Sequence, residues 1–199
     1  MTLPQHFIVS WVVANTAALD RRSRVCITLA GVVPDLDGFG GVFDKLGFGG
    51  DLFFTYHHVF AHNLLFGVIL SVAFAAACAR SATVFALCMI AFHLHLVCDL
   101  VGSMGPDGYQ WPVYYLYPFA PDWELTWSGQ WELDSWRNSL VGVTAFTAAL
   151  VLARYRGVTF FELVSLQLER IVQEAGRKRG FFKGAAQESQ ARTEADASR

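Results

Sequence analysis

The sequence has few charged residues. Asp, Glu, Lys and Arg make up 16% of its 199 residues, whereas a typical soluble protein has about 25%. Hydrophobic residues make up 54%, and the mean hydropathy is +0.36. This composition is typical of a membrane protein, and the length suffices for one domain with its own core. The net charge of −2 gives no indication that nucleic acid is bound.

The sequence also shows neither a cysteine-pair motif nor the pattern of a cleaved signal peptide. The four cysteines stand singly in apolar runs and form no CxxC motif, which argues against a zinc ribbon or a redox pair and predicts buried thiols. The N-terminal MTLPQHFIVSWVVANTAAL has no positively charged start and no Ala-x-Ala site. We therefore do not interpret it as a cleaved signal peptide.

Four apolar stretches predict helices, and they comprise residues 4–19, 59–79, 82–101 and 140–153. A spanning helix needs about 20 apolar residues, with about 17 as the lower limit. The second and third stretches meet this length, and the first and fourth are marginal. Residues 25–33 are too short to span and predict a partial or re-entrant helix that Pro34 ends. The expected fold is an all-α, multi-pass helical membrane protein.

The segments between these stretches differ in composition. Residues 35–51 are rich in glycine and predict a loop. Residues 102–137 hold five of the six tryptophans and four of the six tyrosines. Aromatic residues of this kind favour a membrane interface, and they also suit packing over a pocket; both interpretations are compatible.

The C-terminal part has a different pattern. Residues 160–176 have apolar residues at helical spacing, which predicts an amphipathic surface helix. Residues 185–199 are small and polar and predict disorder. The expected organisation is a membrane-embedded domain over residues 1–157, the surface helix over 158–183 and a disordered tail over 184–199.

The basic residues predict the orientation. If the helices alternate across the membrane, all but two of the fifteen Lys and Arg residues fall on one side. The exceptions are Lys45 and Arg137. The positive-inside rule makes the basic side cytoplasmic, together with the C-terminus.

Histidines and aspartates are expected to meet on the opposite, extracytoplasmic face. The turn between the second and third stretches is short, so those helices form an antiparallel hairpin, with the start of one beside the end of the other. His95 and Asp99 are four residues apart and share a helix face. The same holds for His58 and His62 if the helix begins that early. The predicted cluster comprises His6, Asp35, Asp37, His57, His58, His62, His95 and Asp99.

Imidazole and carboxylate groups together suit Zn²⁺ or another first-row divalent metal. Eight potential ligands exceed the four of one tetrahedral site, which favours two ions bridged by a carboxylate. Each piece alone has an ordinary interpretation: His6 as an interface residue, or the His95–Asp99 pair as a helix-packing hydrogen bond. His93 points elsewhere and is predicted to be structural. Nothing selects one of the acids of the aromatic loop, Asp107, Asp122, Glu124, Glu132 and Asp134.

The ordered motifs VPDLDG, HHVFAHNLL, HLHLVCDL and QWP, after an early histidine, resemble the YdjM-type inner-membrane metal-dependent hydrolases over about residues 4–115. The resemblance maps the family motifs to His6, Pro34-Asp35-Leu36-Asp37, His57 with His62, His95 with Asp99, and Trp111-Pro112. Because His57 and His58 are adjacent, which of them is the ligand stays open. A more distant likeness to the zinc-dependent phospholipase C and single-strand nuclease superfamily implies phosphoester hydrolysis.

The resulting hypothesis is a membrane-bound hydrolase with one or two Zn²⁺ ions held by Asp35, His57, His62, His95 and Asp99. Asp99 or Asp37 would bridge the ions and act in catalysis, and Asp37 would orient a ligand or serve as general base. The expected partners are membrane lipid and a small-molecule or lipid-linked phosphoester, without nucleic acid. The alternatives are a non-catalytic metal-binding, transport or partner-binding membrane protein, or a soluble helical enzyme.

Overall fold

The computed structural model describes residues 1–48, 50–105 and 108–182, and these residues are helical with no strand. Asp107 and the tail over 184–199 lie outside the described residues. The helices are α1 Leu3–Ala14, α2 Arg21–Ala30, a 3₁₀ helix Val33–Phe39, α3 Gly40–Lys45, α4 Leu52–Tyr56, α5 Leu64–Ala76, α6 Ser81–Gly102, α7 Trp136–Arg156, α8 Phe161–Val164 and α9 Leu166–Lys178. The chain divides into two compact units, Met1–Phe146 and Thr147–Arg199. The predicted all-α class is confirmed.

Four helices of the first unit, α1, α2, α5 and α6, pack together as a bundle. Its buried core contains Val13, Ile27, Ala30, Val84 and Cys88 among others. Small residues let the helices approach closely, as in many membrane bundles. The tightest approach is at the end of α2, where a Cβ on Gly31 would lie 2.0 Å from Ser10 Oγ on α1.

Two helices are long and apolar enough to cross a membrane, namely α6 with 22 residues and α7 with 21. The bent pair formed by α2 and residues 33–45 would be a third, broken span. Large apolar side chains such as Ile90 and Val97 on α6 and Leu140 and Val143 on α7 point outward. Outward apolar faces of this size suit a lipid environment.

The assignment of spans from sequence was wrong in two places. The stretch 59–79 met the length limit, but α5 has only 13 residues and is about 20 Å long. It starts late because Asn63 caps it, accepting a hydrogen bond from the Phe66 amide at 2.9 Å. The marginal stretch 140–153 extends instead to α7, since Asn138 is buried at its first turn and donates to Gly102 O at 2.8 Å.

The glycine-rich residues 35–51, predicted as loop, form the 3₁₀ helix and α3 before the chain turns into α4. Asp44 stabilises this turn, because its carboxylate accepts from the amides of Leu52 and Phe53 at 2.9 and 2.8 Å. Gly40 packs against Leu52, where an added Cβ would come within 3.0 Å. These glycines therefore allow a close contact between short helices and do not mark a loop.

The aromatic segment between α6 and α7 folds back over the end of the bundle. Val113 and Leu125 exchange two backbone hydrogen bonds of 3.0 Å, and the Leu64 amide donates to Tyr115 O at 2.9 Å. His93 Nδ1 donates to Met89 O at 2.8 Å, and His93 Nε2 lies 3.0 Å from Tyr115 Oη. This agrees with the structural role predicted for His93.

Two helices, α8 and α9, form where one was predicted over residues 160–176. Ser165 separates them, because its backbone is extended and its side chain caps α9 by accepting from the Leu168 amide at 3.3 Å. Glu169 is buried and accepts from the Thr159 amide at 2.8 Å. The predicted helical spacing is correct, but a cap interrupts it.

Candidate metal centre

Five polar side chains are almost fully buried together near the end of α6: His6, His58, His62, His95 and Asp99, each at most 2% exposed. His6 comes from α1, His95 and Asp99 from α6, and the other two from the turn before α5. Burying so many polar groups is costly unless their charges and lone pairs are compensated. A bound cation is one form of compensation.

Asp99 lies at the centre of the cluster. Its Oδ2 is 3.0 Å from His95 Nε2, 3.6 Å from His62 Nε2 and 4.0 Å from His58 Nε2. Its Oδ1 is 3.0 Å from His6 Nε2 and also contacts the Met1 amino group. The two carboxylate oxygens thus face two different sets of nitrogens, as a bridging carboxylate does.

The protons on two of the histidines are fixed by their partners. His95 Nδ1 donates to Gly31 O, a pure acceptor, at 3.0 Å. His62 Nδ1 donates to Asp37 Oδ2 at 3.0 Å. Both residues therefore direct Nε2 into the cluster, where these two nitrogens are 3.0 Å apart. Two imidazole nitrogens approach this closely only with a proton or a cation between them.

The spacing of these atoms suits a metal. A tetrahedral Zn²⁺ with bonds of about 2.0–2.1 Å separates its ligand atoms by about 3.3 Å. The triangle of His62 Nε2, His95 Nε2 and Asp99 Oδ2 has sides of 3.0, 3.0 and 3.6 Å. In addition, His6 Nδ1, His58 Nδ1 and Asp99 Oδ2 are buried without a hydrogen-bond partner among the described residues. The donor set therefore fits a divalent metal.

Asp37 lies behind this triangle. Its Oδ1 accepts from His57 Nδ1 at 2.7 Å, and its Oδ2 accepts from His62 Nδ1 and from the Ala61 amide at 3.2 Å. A carboxylate that accepts from the far nitrogen of a histidine fixes the ring and raises its basicity. Both Asp37 oxygens accept hydrogen bonds in this way. The geometry therefore favours a role for Asp37 in orienting the His62 ring over a role as a direct metal ligand.

The pKa of His62 depends on the same partners. Burial alone lowers the pKa of His62, but the carboxylates of Asp37 and Asp99 outweigh burial and raise this pKa to about 9. The neighbouring His58 behaves oppositely. Its burial and the nearby His62 hold the pKa of His58 well below the usual value. The pKa values of the two rings are therefore shifted in opposite directions, although the residues are only four positions apart.

All eight residues predicted from the sequence come together, although their roles as ligands stay predictions. Within each of two groups, every residue offers a ligand atom within 4.8 Å of the others: His57 with His58 and His62, and His6 with Asp35, His95 and Asp99. Asp35 Oδ1 lies 3.7 Å from His95 Nε2. Of the adjacent pair, His58 lies beside Asp99, while His57 binds Asp37.

The route by which His58 and His62 reach the cluster differs from the expectation. They do not share a face of a helix, because residues 57–63 precede α5 and form a turn. His58 has φ of 71°, a left-handed conformation that is uncommon for a residue other than glycine. With this backbone conformation at His58, the rings of His58 and His62 are both buried in the cluster.

A protein-family model described as YdjM inner membrane protein matches residues 1–168. The chain belongs to the YdjM inner membrane protein family. Comparisons with curated proteins and with solved structures found no match. The match confirms the resemblance inferred from the motifs, and it includes all eight residues of the cluster. An inner-membrane location is a property of this YdjM family and agrees with the apolar helices.

In this YdjM-family chain, the aromatic segment covers the cluster. The Trp111 ring lies 5.1 Å from the His58 ring and stacks on Phe54 at 5.5 Å. Gln130 holds this cover in place: its Oε1 accepts from the Trp111 amide at 2.8 Å, and its Nε2 donates to Asp99 O at 3.1 Å. The QWP motif indicated Trp111, whereas no sequence pattern indicated Gln130.

A cavity of about 300 Å³ leads to the cluster. Asp35 and His57 form its polar wall, and its other lining residues include Leu3, Phe39, Val42 and Phe53. The cavity therefore reaches two members of the cluster, Asp35 and His57. A small polar group could reach Asp35 and His57 through this cavity.

Proposed function

We propose that this YdjM-family protein is a metal-dependent hydrolase that cleaves a phosphoester at the extracytoplasmic face of the inner membrane. The observation that carries the proposal is the triangle of His62 Nε2, His95 Nε2 and Asp99 Oδ2, whose sides match the ligand spacing of a tetrahedral metal. Burial of these groups next to an open cavity favours a catalytic site over a closed structural one.

His62, His95 and Asp99 would hold one Zn²⁺ ion. Asp99 Oδ1, His6 and Asp35 would contribute ligand atoms to a second ion. Zn²⁺ supplies Lewis-acid chemistry and lowers the pKa of a water molecule toward about 7. Asp37 would keep the His62 ring oriented. Hydrolysis forms a P–O bond from water, breaks the P–O bond to the leaving alcohol and transfers a water proton to that alcohol.

The activity is tested with protein purified in detergent without chelator. The zinc-loaded protein should hydrolyse a nitrophenyl phosphodiester, lose this activity after treatment with a chelator and regain it when zinc is restored. Hydrolysis that persists in metal-free protein would contradict the proposal. So would a zinc-loaded protein that cleaves no nitrophenyl phosphomonoester or phosphodiester.

Replacing Asp37 should weaken metal binding without removing it. Asp37→Asn keeps the size of the side chain but loses a charged acceptor for His57 and His62. Loss of such a partner typically lowers metal affinity by about 10–100-fold, and we expect a zinc Kd raised within that range in competition titrations. Asp44→Asn is the control, because the Asp44 carboxylate accepts from the amides that begin α4. Equal zinc affinities for both variants would contradict the role of Asp37.

The orientation rests on the arrangement of the first unit. Arg80 donates to Ala18 O at 3.1 Å, so the α5–α6 turn lies beside the turn that carries Arg21, Arg22 and Arg24. Asp99 lies at the other end of α6. The metal cluster and these arginines therefore occupy opposite ends of the bundle, and the positive-inside rule puts the arginines in the cytoplasm.

Cysteine labelling tests this orientation. Asp122 lies exposed in the aromatic segment, and Ala79 lies exposed in the α5–α6 turn. In cells with a permeabilised outer membrane, an impermeant maleimide should label Asp122→Cys, whereas Ala79→Cys should react only after the inner membrane is opened. The unsubstituted protein gives the background from its own cysteines. The reverse pattern would place the site in the cytoplasm.

A further inference from the structure

The depth of the metal centre suggests which substrates can reach it. This inference rests on the proposed function and concerns its substrate. Asp99 is three residues before the end of α6, which is about 5 Å along the helix axis. Since α6 has 22 residues and is about 33 Å long, it matches a hydrocarbon core of about 30 Å. The centre therefore lies near the level where the headgroups of lipids begin.

The outer rim of the cavity is apolar. Leu3, Phe39 and Val42 line the cavity that reaches Asp35 and His57, and they are 51%, 59% and 49% exposed. A site for a water-soluble phosphoester would gain nothing from exposed apolar side chains at its mouth. Contact with lipid removes this apolar surface from water.

Further large apolar side chains are exposed along the same segment. Leu36, Phe43, Leu46 and Phe48 are also exposed on the 3₁₀ helix, α3 and the residues that follow. In the same segment, Asp44 is turned toward the amides of Leu52 and Phe53. Continuous exposed apolar patches mark interaction sites, and in an inner-membrane protein at this depth the bilayer is the surface available.

We propose that the substrate is an amphiphile of the bilayer, a phosphoester that carries a long apolar chain and enters sideways past Leu3, Phe39 and Val42. The cavity of about 300 Å³ is at the small end of ligand pockets. It accommodates the phosphoester headgroup beside Asp35 and His57. The chain stays outside, in the bilayer and against the rim.

Two esters with the same reacting group test this substrate class. Hexadecyl p-nitrophenyl phosphate and ethyl p-nitrophenyl phosphate release the same nitrophenol and differ only in the alkyl chain. The zinc-loaded protein in vesicles of phosphatidylcholine and phosphatidylglycerol should cleave the hexadecyl ester with a kcat/KM at least tenfold higher. Equal values for the two esters would overturn the inference but leave the hydrolase proposal intact. Cleavage of neither ester would contradict the hydrolase proposal itself.

Variants of the rim test the route. Phe39→Gln and Val42→Gln should lower the ratio of kcat/KM for the hexadecyl ester to that for the ethyl ester about tenfold. Phe48→Gln is the matched control, because Phe48 is more exposed, at 79%, and does not line the cavity. An equal loss in Phe48→Gln would indicate general membrane attachment and would overturn the proposed entrance.

Photolabelling gives a readout that needs no activity. A hexadecyl phosphonate with a diazirine close to its headgroup should label the peptides that contain Leu3, Phe39 and Val42. An excess of the unlabelled phosphonate should abolish this labelling. Labels spread evenly over the outward faces of α5, α6 and α7, without competition, would overturn the inference even if the protein proves to be a hydrolase.

Discussion

Asp99→Asn should abolish both zinc binding and hydrolysis. Asp99 is the one residue whose carboxylate approaches His6, His62 and His95 together, at 3.0, 3.6 and 3.0 Å. An amide keeps the shape but not the charge that compensates a cation. Since outer partners of a metal ligand alone contribute about 10–100-fold, we expect the zinc Kd to rise by more than about 100-fold. Metal analysis and competition titration measure this change.

The matched control for Asp99 lies on the same helix. His93→Gln removes an imidazole two residues from His95, but His93 contacts Met89 O and Tyr115 Oη instead of the cluster. It should keep its zinc. If Asp99→Asn does not fold, His62→Gln, in the turn before α5, tests the same triangle. Full zinc content in Asp99→Asn, or equal losses in Asp99→Asn and His93→Gln, would contradict the assignment.

The second large expected effect is a loss of stability in Gly31→Ala. A Cβ there would lie 2.0 Å from Ser10 Oγ and 3.0 Å from Ala91 O, so Gly31→Ala pushes α1 and α2 apart. Overpacking of this kind costs about 1–3 kcal/mol, which lowers the midpoint of thermal unfolding by roughly 2–4 °C for each kcal/mol. Because Gly31 O accepts from His95 Nδ1, zinc affinity should fall as well.

A second substitution separates packing from other effects of Gly31→Ala. Ser10→Gly removes the two side-chain atoms nearest the added methyl group, so the double variant should recover part of the lost stability. Gly50→Ala is the control, since nothing lies within 4 Å of a Cβ at that position. A double variant no more stable than Gly31→Ala would show that the clash with Ser10 is not the cause.

The helical class and the meeting of His95 and Asp99 with residues near position 60 could be predicted from local spacing. His95 and Asp99 are four residues apart in a long apolar helix, and the structure puts Oδ2 of Asp99 3.0 Å from Nε2 of His95. The short turn before α6 correctly predicted that residues near position 60 would meet the end of α6. Both inferences depend only on helical periodicity and on a tight connection, which are local properties of the sequence.

Other features depend on tertiary contacts and could not be predicted. His58 and His62 reach the cluster through a turn with a left-handed residue, because Asn63 delays the start of α5. The glycines at 40 and 41 are typical of a loop, but they pack against α4. Nothing near Gln130 in the sequence indicates that its amide bonds Asp99 O. For these glycines and for Gln130, a contact with a residue distant in the sequence decides the structure.

The central claim is that His62, His95 and Asp99 bind a divalent metal. An experimental structure of protein purified without chelator, with anomalous scattering recorded at the zinc edge, tests it most directly. We predict a peak about 2.0–2.2 Å from Nε2 of His62, Nε2 of His95 and Oδ2 of Asp99. Direct hydrogen bonds among these three side chains, with no anomalous peak near them in zinc-saturated protein, would contradict the claim.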